Sequence, residues 1–233
     1  MPDPTPLILI PGLLCSARLY TPQLMALWPH GPVTVADHRR DNSMEAIARR
    51  IFADAPPRFA VAGLSMGGYI AFAMLRIAPE RIVKLALLDT SARADTPEQM
   101  ATREKFVAMA QAGKLHDVVE TLTPRFLHKN HAKDETLVRT VRDMAQDTGV
   151  EAFVRQQRAI MNRPDARGEL SKIKCPTIVL VGDGDELTPP ALAHEIAAGI
   201  SGARLVTITN CGHLSTIEQP TAVNAAMAEW LGG

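Results

Sequence analysis

Along the chain, short continuous apolar runs alternate with segments whose apolar residues recur every three or four positions. The runs are Leu7–Ile10, Val33–Ala36, Phe59–Ala62, Lys84–Leu88, Thr177–Val181 and Arg204–Ile208. Most end at Gly, Asp or Pro-Gly. Runs that do not alternate with polar residues predict strands covered on both faces. Helical periodicity predicts helices over about 44–54, 66–78, 189–200 and 219–231; in the last, Val223, Ala226, Met227, Trp230 and Leu231 share one face. Strand alternating with helix implies a parallel sheet with helices on both sides.

One gap breaks the rhythm. Between Ser91 and Lys174 there is no strand-like run, and four helical patterns fill the space. Thr96-Pro97-Glu98-Gln99 predicts a capping box with proline in the first turn. Leu115, Val118, Val119 and Leu122 form a second stripe, and Leu137, Val138, Val141, Met144 and Ala145 a third. Thr148-Gly149-Val150-Glu151 reads as another capping box opening a fourth helix, which Pro164 ends. The expectation is a core of residues 1–90 and 170–233, with a helical lid at 91–169 inserted before the fifth strand. Lids commonly enclose sites at the carboxyl edge of such sheets.

Composition narrows the function. Apolar residues make up 46% and charged residues 21%, enough for one full core. Lys plus Arg and Asp plus Glu both number 25, with no basic run, so nothing marks a nucleic-acid or anionic-membrane surface. No apolar run approaches transmembrane length. Leu7 to Cys15 could imitate an export signal, but no Lys or Arg precedes it and Pro11-Gly12 breaks it. Cys15, Cys175 and Cys211 are odd in number and far apart. Free thiols in a reducing cytoplasm are the expectation. Oligomeric state stays open between monomer and homodimer.

The chemistry centres on Gly63-Leu64-Ser65-Met66-Gly67-Gly68, between a predicted strand and a predicted helix. A strand that turns sharply into a helix exposes the central serine, and glycines on both sides remove Cβ atoms that would collide. Chance places Gly-x-Ser-x-Gly in roughly 0.03 of shuffled chains of this composition. His213, in a glycine-containing loop after the last strand, is the best-placed partner base; His38, after the second strand, is its rival. His128 and His131 lie three apart in the lid but lack a third metal ligand. For the acid, Asp185 and Asp183 follow the fifth strand, Asp89 the fourth and Asp37 the second.

On the elbow, on Pro176–Pro189 with its Gly182-Asp183-Gly184-Asp185, and on Gly212–Pro220, the chain resembles the α/β-hydrolase superfamily. The resemblance is to its compact, lidded esterase, lactonase and thioesterase-like members and runs from about Leu7 to Leu231. It implies an α/β-hydrolase fold with a mostly parallel six-stranded sheet, smaller than in relatives with extra N-terminal strands. It further implies a Ser65–Asp185–His213 triad with Asp183 as second choice for the acid. Oxyanion donors would be the Met66 and Leu13 N–H groups, although Pro11-Gly12 stands where most relatives have His-Gly. No cofactor or metal is implied. The expected activity is cleavage of a carboxylic ester, lactone or thioester of a small to medium molecule through an acyl-enzyme. Carbon–carbon hydrolysis, lyase chemistry on the same triad, or a ligand-binding receptor are the alternatives. The pocket is expected between sheet edge and lid, apolar and rich in Leu and Met, with Leu13, Leu14 and Met66 contributing.

Overall fold

The computed structural model describes residues 4–233. Six strands, β1 (Leu7–Ile10), β2 (Val33–Val35), β3 (Phe59–Leu64), β4 (Ile82–Leu88), β5 (Thr177–Gly182) and β6 (Arg204–Ile208), form one sheet in the order β2-β1-β3-β4-β5-β6. Every pairing is parallel. The register sets Ile10 beside Gly63, Leu64 beside Leu88, Leu88 beside Leu180, and Gly182 beside Ile208. The carboxyl ends of five strands therefore meet at one edge, and all loops with candidate chemistry leave from there.

Alternation within each strand separates two cores. Ile8, Ile10, Val61, Leu85, Leu87, Val179 and Val181 pack with α2 (Met44–Asp54), α3 (Met66–Ile77) and α7 (Pro190–Gly199). Leu7, Leu9, Ala62, Leu88 and Leu180 face the opposite way, toward α1 (Thr21–Leu27) and α9 (Pro220–Gly232). Each fully buried Leu, Ile or Val contributes about 1.5–3 kcal/mol of transfer free energy. A one-residue slip would exchange the two sets of side chains between these two cores.

Between β4 and β5 lie α4 (Pro97–Gln111), α5 (Leu115–Phe126) and α6 (Glu135–Met161). Thr96 and Gln99 form the expected reciprocal capping box. The second expected box does not form. Thr148 Oγ1 donates backward to Met144 O at 2.9 Å, and Gly149 adopts φ 73°, ψ 169°. The third and fourth helical patterns are therefore two helices, as expected, which meet end to end within α6 at the non-helical Gly149, where glycine tolerates the positive φ of the break. The sequence pattern does not predict helix α1 or the four-residue α8 (Ser215–Glu218), because pieces of seven and four residues are too short to show a helical period. The lid's apolar face, including Val118, Phe126, Val141 and Phe153, belongs to the same core as the sheet. At its base Ala166 N donates to Ala92 O at 2.7 Å, joining the two ends of the insertion.

Candidate active site

Ser65 occupies the turn between β3 and α3 with φ 54° and ψ −113°. A non-glycine residue held there stores about 1–3 kcal/mol of backbone strain. Surrounding bonds hold it in place. Ser65 N donates to Leu88 O at 2.9 Å, and Thr90 Oγ1 donates to Ser65 O at 2.7 Å. The flanking glycines have steric reasons. A Cβ on Gly63 would strike the Gly67 carbonyl, and one on Gly67 would strike the Ile10 carbonyl.

His213 follows β6 and is 2% exposed. Its Nδ1 lies 2.8 Å from Asp185 Oδ2. Asp185 is oriented in turn: Leu187 N and Thr188 N donate to its Oδ1 at 2.8 and 2.9 Å, and Thr188 Oγ1 donates to Oδ2 at 2.7 Å. Burial alone would push His213 toward neutrality, but the Asp185 charge and hydrogen bond, with Asp89 and Glu218 farther off, outweigh it and raise its pKa. Burial likewise works against the Asp185 carboxylate, and His213 and Thr188 hold its pKa below the ordinary value. Nδ1 therefore carries the proton toward Asp185, leaving Nε2 for the cavity. Ser65 and His213 line the same cavity, and no hydrogen bond joins them among the described residues.

The other carboxylates have different partners. Asp183 accepts from Asn210 N and Cys211 N, both at 3.1 Å, and so shapes the turn before His213. Asp89 is fully buried, accepts from Gly182 N at 2.9 Å and is hydrogen-bonded to Ser215 Oγ. Burial, reinforced by the Asp185 charge, pushes Asp89 up to about 8. Asp37 pairs with Arg39 and Arg40 away from the histidine.

Glu218 carries a function that sequence reasoning missed. Its Oε1 accepts from Gly212 N (3.0 Å) and Leu214 N (3.3 Å), and its Oε2 from His128 N (2.7 Å). His131 Nδ1 lies 3.0 Å from Oε2. One buried carboxylate thus fixes both sides of His213 and ties that loop to the lid. Its only signal in the sequence is a glutamate five residues after His213, two before Pro220. His128 and His131 serve this contact, and no group of three metal-ligating side chains occurs among the described residues.

The loop after β1 brings Leu13 to the cavity, with no acceptor for the Leu13 N–H among the described residues. Met66 opens α3, so its N–H has no carbonyl one turn back. The loop is clamped on either side of Leu13. Leu14 N donates to Gln156 Oε1 of α6 at 3.1 Å, and His38 Nε2 lies 2.8 Å from Gly12 O and 3.1 Å from Gln156 Nε2. Burial pushes His38 down to about 4, so it stays neutral. His38 is thus a support for this loop, not a rival to His213. Gln156, fully buried, was not singled out from the sequence.

The pocket differs from expectation. Leu14 is not part of its wall: at φ 59° its side chain turns into the core and is 2% exposed. The Met66 side chain also packs inside, against α2 and β3. The cavity, about 390 Å³, lies between sheet edge and lid as expected. Its wall mixes Leu13, Leu122 and Phe106 with charged Arg103, Arg163 and Asp95. The lid therefore turns polar side chains inward here beside Leu122 of its second stripe. No helix among the described residues is long and apolar enough to cross a membrane.

Comparison with known proteins places this geometry in a group. The pimeloyl-[acyl-carrier protein] methyl ester esterase of Neisseria meningitidis is 26% identical over 91% of this chain and 86% of its own length. An esterase from Thermogutta terrifontis, solved with malate bound, is 28% identical, superposes with a TM-score of 0.88 and covers 98% of this chain and 89% of its own. The enol-lactonase of Burkholderia xenovorans LB400 is 26% identical with a TM-score of 0.90, covering 99% and 92%. The family model described as the alpha/beta hydrolase family matches residues 6–226, and the chain belongs to that family.

Proposed function

We propose that Ser65, His213 and Asp185 are the nucleophile, base and acid of a carboxylic ester hydrolase acting on a small-molecule ester or lactone. The observation that carries the reading is the His213 Nδ1–Asp185 Oδ2 contact of 2.8 Å, facing a cavity that also holds the strained Ser65. The similar proteins named for ester and enol-lactone cleavage support the same reaction class. In the first step His213 Nε2 takes the Ser65 proton as Oγ attacks the carbonyl carbon. The oxygen, now negative, accepts from the Leu13 and Met66 N–H groups. His213 then gives its proton to the leaving alkoxide. In the second step it activates water, which attacks the acyl-enzyme and restores Ser65. The Ser65–His213 hydrogen bond forms when substrate closes the site, as such contacts tighten in the Michaelis complex. A cavity of about 390 Å³ falls in the range of small-ligand sites. We further propose a reducing, cytoplasmic setting; all three cysteines are free, and burial lifts Cys15 up to about 12.

The test uses nitrophenyl esters of graded acyl length with wild type and Ser65→Ala. Saturable turnover is expected in the wild type and a loss of at least about 10³-fold in the variant. Equal hydrolysis by both proteins would remove Ser65 from the mechanism.

A further inference from the structure

One wall of the cavity carries polar groups that acyl transfer at Ser65 does not use. Asp95, with a side chain 1% exposed, accepts from Arg103 Nε at 2.6 Å through Oδ2, while its Oδ1 lies 2.8 Å from Arg163 Nη1 without a directed hydrogen bond. Two guanidinium groups against one carboxylate leave a positive charge. Arg163 is committed to the frame: it donates to Arg93 O (3.1 Å) and Ile160 O (2.9 Å) and stacks on Tyr69 at 4.1 Å. Arg103 is not fully committed. Its Nη1 donates to Gln157 Oε1 at 2.9 Å, and its Nη2 has no acceptor among the described residues. That bond fixes the orientation of the Gln157 amide, because only the oxygen can accept from a guanidinium. Gln157 is fully buried, and its Nε2 is left without a partner.

A buried amide donor without a partner costs about 1–3 kcal/mol. A strut between lid and core would explain the Arg103–Asp95–Arg163 contacts. It would not explain two donors, Gln157 Nε2 and Arg103 Nη2, left open on a wall that Ser65 shares. Arg93 spends its charge outward on Glu195, Glu98 is exposed in the first turn of α4, and Arg125 adds a further exposed cation to the lining. The lining therefore favours a negative group, and a fork of planar donors matches a carboxylate.

We propose that Arg103 and Gln157 form a carboxylate subsite, so that the ester or lactone opened at Ser65 bears a free carboxylate received by Gln157 Nε2 and Arg103 Nη2. This rests on the hydrolase reading and adds its substrate class. A site built to hydrogen-bond one group discriminates strongly against analogues that lack it. The probes are the monomethyl esters of butanedioic, pentanedioic and hexanedioic acids, set against methyl esters of monocarboxylic acids of matched length. The proteins are wild type, Gln157→Glu and Arg103→Gln. Gln157→Glu keeps an acceptor for Arg103 but replaces the open donor with negative charge. Arg103→Gln keeps the Asp95–Arg163 pair, and its folding is checked by Tm; if it does not fold, Gln157→Glu carries the test.

Wild type is expected to prefer a hemiester over its neutral match by at least about tenfold in kcat/KM. In each folded variant that ratio is expected to fall by about tenfold or more, chiefly through KM. Absence of the preference, or a preference that survives Gln157→Glu, overturns the subsite. A parallel titration of Ser65→Ala protein with pentanedioate, by calorimetry, separates the two readings. Turnover of neutral esters without Gln157-dependent pentanedioate binding sinks the subsite alone. Gln157-dependent binding with no ester of either series cleaved sinks the hydrolase reading alone.

Discussion

A histidine that takes a proton from serine works only while neutral, so under the proposed mechanism the value at which His213 loses its proton sets the acid side of the rate profile. Burial lowers that value, and Asp185, Asp89 and Glu218 together raise it above the ordinary one. The acid limb of kcat/KM is therefore expected to have its midpoint above about 6.5, activity falling as pH drops through it. A limb at or below 6.5 would show that burial wins. The same shift acts on stability: the His213 contribution is full below about 6.5 and is lost as pH rises through the raised value. For the acid, Asp185→Asn is expected to lower kcat by about 10³–10⁴-fold. Asp183→Asn is expected to lower Tm more than rate, because it loosens two backbone N–H groups of the turn. The reverse ranking, measured by steady-state kinetics, would exchange the two roles. Residue types alone leave Asp183 and Asp185 open. The distinction is one of side-chain direction, which loop sequence does not record. Ser65 is more legible because its strained backbone demands glycines at fixed offsets.

Elements supply what single residues cannot, namely a fixed distance between donors. The Gln156 side chain of α6 and the His38 ring after β2 hold the loop that presents the Leu13 N–H. Gln156→Leu is expected to lower kcat by roughly tenfold to 100-fold with a smaller change in KM. Affinity for a boronate transition-state analogue should fall in parallel. An unchanged kcat in a folded variant would mean that the loop needs no clamp. Strands and long helices are legible because burial on both faces leaves continuous apolar runs and periodic stripes. Connections are less so. Thr148-x-x-Glu151 has the letters of a capping box, yet Thr148 turns back to Met144 and the break between the two helices falls at Gly149 without that box. Nor does the Pro11-Gly12 departure reveal that His38, 26 positions away, hydrogen-bonds the Gly12 carbonyl.

At the scale of the molecule, the lid is not an independent cover. Its apolar residues complete the core on one face of the sheet, and Glu218 binds its α5–α6 connection to the His213 loop. Glu218→Gln offers one oxygen where two accept from backbone N–H groups. It is expected to cost about 1–3 kcal/mol in chemical denaturation and to reduce kcat as His213 loses its fixed position. Full activity at reduced stability would assign Glu218 to the scaffold only. The single sheet covered on both faces and the inserted helices are legible from the order of runs. The polarity of the pocket is not, because a stripe identifies the face a helix buries without saying what the remaining residues enclose.

The bond between Ala166 N and Ala92 O at the lid's base has a consequence for how such proteins diverge. The insertion leaves and rejoins the sheet at neighbouring points, so its length and sequence can change without moving β4 or β5. It behaves as an exchangeable cassette on a constant chassis: a graft that restores an apolar underside could bring a new selectivity, whereas bare excision would open the core to water.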